Sequence, residues 1–178
     1  MPQTVLAFLA MLIVTMLSLS QQQTMLLAYE LMLNDEMEVM AAAVSMQAME
    51  YISQREFDAA VAGTNTVSSP NELQDWPFTT GNACSLQGPL FFCTDLDDFH
   101  QMTPDTLEFV GRDDTTPFRF TVTADVAYID PALNPDSTVA YETYAKLISV
   151  EVLDVTDIML QPIKLSRLIV CEPADGCL

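Results

Sequence analysis

Between Pro2 and Gly63 the chain has no proline and no glycine, and its residues there are mostly Leu, Met, Ala, Gln and Glu, all good helix formers. So long a stretch without a breaker predicts one continuous helix of about 60 residues, roughly 90 Å long and about three times the hydrocarbon thickness of a bilayer. A membrane span alone does not account for that length. From Val5 to Leu19 the stretch is apolar on all sides, and it reaches spanning length only with Gln21 to Gln23 at an interface and Met25 to Leu27 extending it. From Met25 onward the apolar residues keep to one face. Met25, Tyr29, Met32, Leu33, Met37, Met40, Val44, Ala48, Tyr51 and Ile52 recur at helical spacing, with Glu30, Asp35, Glu38, Gln47, Glu50, Gln54 and Asp58 largely between them. Such a face is expected to pack on a folded domain, with its methionines as adaptable core. Gly63 is the expected stop, in the left-handed conformation that helices often adopt past their end.

The 178 residues carry 25 acidic side chains against six basic ones, a net charge of −19. The six are Arg55, Arg112, Arg119, Lys146, Lys164 and Arg167. Affinity for nucleic acid depends on clustered Lys and Arg releasing counterions, so a nucleic-acid partner is not expected. An acidic surface keeps a chain with an apolar end soluble, and it also suits a salty environment. A secretory signal carries a basic n-region, and here no Lys or Arg precedes Arg55. That pattern fits Met1 as a mature N-terminus from which a basic leader has been removed.

Beyond the helix, residues 64 to 104 are rich in Pro, Asn, Ser, Asp and Gly and predict a connecting loop region. Strands are expected next: "TLEFV" at 106–110, "FRFTVTADVAYI" at 118–129, and segments within "VAYETYAKLISVEVLDV" and "IMLQPIKLSRLIV". In the second, Phe118, Phe120, Val122, Ala124, Val126 and Tyr128 alternate with Arg119, Thr121, Thr123 and Asp125. The expected class is α+β: a long N-terminal helix packed by its second half on an antiparallel sheet of about four strands. The segments are 1–24, an apolar membrane or filament-core helix; 25–63, its amphipathic continuation; and 64–178, a disulfide-stapled β-rich head. Four cysteines allow three pairings. The short polar loops "CSLQGPLFFC" and "CEPADGC" favour Cys84 with Cys93 and Cys171 with Cys177. The spacing matches no common zinc pattern, and His100 is the single histidine.

An apolar-then-amphipathic helix, a loop region, an antiparallel sheet and a Cys-closed C-terminal loop resemble the type IV pilins and pseudopilins. "TVLAFLAMLIVTMLSLS", "YAKLISVEV" and "PIKLSRLIV" ending in Cys171 carry the resemblance. It implies a prepilin cut after a short basic leader, stored in the inner membrane, and assembled by pilus machinery into an extracellular filament at the cell surface. The implied polymerisation helix includes Val5, Leu6, Phe8, Leu9, Leu12, Ile13, Met16 and Leu17, buried among copies of the same chain. Two departures stand out. Val5 occupies the position where the family commonly has a Glu that engages a neighbour's amine, and no acid precedes Glu30. Gln21 to Gln23 fill the zone where many members carry a helix breaker, and local unwinding is expected there.

No GxSxG, HExxH, P-loop or GxGxxG motif occurs, so catalysis is not expected. Cofactors are not expected either, with calcium the one candidate. Asp95, Asp97 and Asp98, or Asp130, Asn134 and Asp136, offer oxygens of the kind calcium accepts, without EF-hand spacing; the competing expectation is solvated turns. The leading functional expectation is a major pilin. A secretion pseudopilin forming a short periplasmic piston, or a membrane-anchored binding domain, are the alternatives.

Overall fold

One α-helix, α1, runs unbroken from Pro2 to Ser53 in a computed structural model that describes residues 2–61, 67–74, 78, 84–86, 93–110, 117–133, 137–156, 158–159 and 161–171. At 1.5 Å per residue it is roughly 80 Å long. It is helical through Gln21 to Gln23, which corrects the expected unwinding: three glutamines are good helix formers and nothing there competes for the backbone. The helix also stops well before Gly63, itself outside the described residues. After Ser53 the Arg55 N–H turns back to the Ile52 carbonyl. Phe57 and Asp58 then enter the core. Asp58, expected on the helix's polar face, has no exposed surface. Its carboxylate accepts the N–H groups of Ala60 and Gln74, and this tertiary demand overrides local helix propensity.

Four strands follow in a meander: β1 Asp105–Val110, β2 Pro117–Tyr128, β3 Ala145–Asp154 and β4 Ile163–Val170. All neighbours are antiparallel, in the order β1-β2-β3-β4. The register sets Val122 opposite Val152, Ala124 opposite Val150 and Val126 opposite Ile148. These residues, with Phe120 and Tyr128, form the buried face. The opposite face carries polar pairs such as Lys164 with Glu151, 3.0 Å apart. One wet and one dry face is the usual state of an antiparallel sheet packed on one side.

The second half of α1 covers β3 and β4. Met37, Ala41, Val44, Ser45, Ala48, Met49 and Ile52 are its buried residues. The covered face starts at Met37 rather than Met25: Met25, Tyr29, Met32 and Leu33 are exposed because the helix has by then run past the sheet. At its far end Arg167 donates to the Ser53 hydroxyl. The segment before β1, expected as a loop region, contributes Val67, Leu73, Phe78, Leu96, Phe99 and Met102 to the core. Cys84 and Cys93 are joined, with Cα atoms 5.5 Å apart. Cys171 is disulfide-bonded as well; its expected partner, Cys177, lies outside the described residues. Closing so short a loop is worth about 3 kcal/mol in the chain-entropy account. The double variant Cys84→Ser/Cys93→Ser should therefore lose about 3 kcal/mol in guanidinium unfolding followed by circular dichroism.

Candidate functional site

From Gln3 to Leu33 every residue of α1 is exposed. Val5, Leu6, Phe8, Leu9, Leu12, Ile13, Met16 and Leu17 all lie there on one side of the helix, Met11 and Val14 are exposed on the other, and none of the eight reaches the head. By length and composition this helix is able to cross a membrane. Its few polar groups are partly absorbed internally: Thr15 donates to the Met11 and Leu12 carbonyls, and Thr24 to that of Ser20. Hydroxyls so bonded burden an apolar environment less than free ones. No charged side chain precedes Glu30. Where α1 leaves the sheet, Leu27, Leu31, Leu33 and Ile158 line a groove of about 480 Å³ with Glu30 and Asn34 at its edge.

A second constellation lies inside the head. Lys146 on β3 has no exposed surface, and it donates to two oxygens and forms an ion pair with a third. Nζ stands 2.7 Å from the Phe57 carbonyl, 3.1 Å from Asp58 Oδ2 and 2.6 Å from Asp97 Oδ1. The rings of Phe57, Phe78 and Tyr128 close around it with centroids 4.4, 5.1 and 4.8 Å from Nζ. Asp97 begins a 3₁₀ turn, Asp97–Phe99, which Asp95 caps by accepting the N–H groups of Asp97 and Asp98. Asp98 in turn accepts from Thr94.

The two carboxyls facing Lys146 are held in opposite directions. Burial raises that of Asp58, but the Lys146 charge and the N–H groups of Ala60 and Gln74 outweigh it, leaving the group below the usual carboxylate value. Burial dominates at Asp97 and pushes it up to about 8 despite Lys146. Neither of its oxygens accepts a hydrogen bond among the described residues, Oδ1 meeting Lys146 as an ion pair. Burial, with the neighbouring Asp98 charge, also raises Asp95. The Tyr128 hydroxyl, pushed up by burial and then by Asp97 and Asp58, donates to Asp58 Oδ2.

No protein-family model, curated protein or solved structure matches the chain.

The calcium expectation is corrected at one loop. Asp95 and Asp97 are buried and committed to the turn and to Lys146, so they form neither a solvated turn nor an open ligand set. In the other loop Asp130 accepts from Ala132 N–H and the Tyr141 hydroxyl, while Asn134 and Asp136 lie outside the described residues. Among the described residues no group of three such side chains is arranged to hold a metal ion. His100 is buried, its Nδ1 2.7 Å from the Val126 carbonyl and 2.9 Å from Asp125 Oδ1. Sequence reading missed the Lys146 constellation; the signal that finds it is that Lys146 is in phase with Ile148, Val150 and Val152 on β3, which places it on the core face.

Proposed function

We propose that this chain is the structural subunit of an extracellular, type IV pilus-like filament, polymerised through its N-terminal helix. One observation carries the reading. A continuous helix is apolar and fully exposed over its first half, and the same helix is locked onto the sheet over its second half. Apolar surface of that extent does not persist in water. Lipid covers it before assembly, and identical helices cover it afterwards through close van der Waals packing. Contacts between copies that do not close produce a helical fibre, and the unbroken helix ties each head rigidly to the fibre core. Pilus assembly machinery would move the subunit from the inner membrane to the cell surface.

The test is electron microscopy of material sheared from producing cells, with mass spectrometry of the subunit's N-terminus. Long thin filaments composed of this chain are expected. Short rods confined to the cell envelope would favour the piston reading, and detergent-soluble monomers with no fibres would favour an anchored binding domain; either replaces the proposal.

A further inference from the structure

The buried Lys146 site has the layout of a reaction as much as that of an ion pair. The Lys146 nitrogen lies 2.6 Å from one oxygen of a carboxyl group, a second carboxylate lies 3.1 Å from the same nitrogen, and all three side chains are almost wholly shielded from water. Three aromatic rings supply the wall. A buried ion pair is poor support for a fold, because desolvation offsets its attraction. We propose that Lys146 and Asp97 are the partners of an intramolecular isopeptide bond, formed within the folded head with Asp58 as proton carrier.

In a medium of low polarity, moving a proton from the ammonium to Asp97 turns two buried charges into an amine beside a carboxylic acid. The upward displacement of Asp97 and the downward displacement of Asp58 assign the protonated and the ionised role to different carboxyls, as acid and base pairs in sites are commonly divided. The Nζ lone pair attacks Asp97 Cγ and an N–C bond forms. Asp58 takes a proton from that nitrogen and returns it to the hydroxyl on Cγ; the C–O bond breaks and water leaves. One amine and one acid give one amide and one water, with no co-reactant. Fixing the reactants in contact replaces an encounter in solution, and such fixed pairs reach very high effective concentrations. Asp58 is held for its part by the N–H groups of Ala60 and Gln74 and the Tyr128 hydroxyl. The bond would tie the turn at Asp97 to the middle of the sheet and resist extension of the head, whatever the N-terminal helix does.

The test is the mass of the full chain, extracted in detergent, reduced and denatured. It is expected to be one water lighter than its sequence, judged against the Lys146→Arg variant so that processing elsewhere cancels. After trypsin, the peptide from Glu56 to Arg112 should emerge joined to one running from Phe120 through Lys146 to Lys164, because an acylated lysine is not cleaved. Asp58→Asn should leave most of the protein unlinked. Wild-type protein at full mass with ordinary cleavage after Lys146 overturns the proposal, as does a lost water that maps elsewhere. Linkage in Asp58→Asn equal to the wild type overturns the role given to Asp58.

Discussion

Lys146→Met is expected to destabilise the head by about 3–5 kcal/mol at neutral pH, the usual loss when one partner of a buried charge pair is removed. Met matches the length of the lysine stem and keeps its packing against Phe57, Phe78 and Tyr128, so the loss isolates the charge. What remains is Asp58 with no exposed surface and no cation beside it. The sign of the Asp58 contribution to the pH dependence then reverses. Beside Lys146 the Asp58 carboxyl is depressed, so its contribution is present above the ordinary value of 3.8 and is lost as pH falls through the lower folded value. Without Lys146 burial is the largest influence left, opposed by the Ala60 and Gln74 N–H groups, and that carboxyl is expected to rise. Its contribution is then present below the ordinary value and is lost as pH rises. The variant should therefore become more stable on acidification from neutral pH toward about pH 4, and adding Asp58→Asn should recover much of the loss and remove the Asp58 part of that gain. Denaturant midpoints across that range decide it; a Lys146→Met protein whose stability falls on acidification contradicts the account. The charge-pair loss applies to protein in which the proposed amide has not formed, since in the amide Lys146 is neutral and offers Asp58 only a hydrogen-bond donor.

The same residues show where sequence reasoning stops. Hydrophobic period identified α1 and all four strands, because alternation and helical spacing are properties of neighbours along the chain. It could not say where coverage of the helix begins. Met25 and Tyr29 carry the same apolar signal as Met37 and Val44, and only the reach of the sheet separates them. Asp58 reads as one more polar residue on a helix face until Lys146 and the Gln74 N–H, far off in sequence, draw it into the core. Asp97 reads as a solvated turn residue for the same reason. For Lys146 the signal is present but went unread: its phase with Ile148, Val150 and Val152 points inward, and a lysine on a core face demands carboxylate partners. The segment from Val67 to Met102 misleads in the other direction, since its polar composition hides Val67, Leu73, Phe78, Leu96, Phe99 and Met102, which join the core.

The apolar half of α1 makes the sharpest separation between assembly and folding. Leu12 is 56% exposed and far from the head, so Leu12→Asp, or Met16→Asp, should leave the head's unfolding midpoint where it is. In a fibre the same aspartate enters an apolar environment, where a central Asp costs about 2.5–3.5 kcal/mol by membrane-insertion scales, and it does so in every subunit. No Lys or Arg precedes Arg55 to offer it a partner. Fibres should therefore disappear altogether. Ile52→Ala works in reverse. Ile52 is fully buried where α1 meets the sheet, and its truncation should lower the head's stability by about 2–5 kcal/mol while the apolar half still assembles. Electron micrographs and unfolding midpoints, taken on both variants, read the two properties independently. Fibres of normal length from Leu12→Asp would mean that the exposed half of the helix is not what joins the subunits. Loss of head stability in the same variant would mean that α1 is not divided at the edge of the sheet into a packed half and a free one.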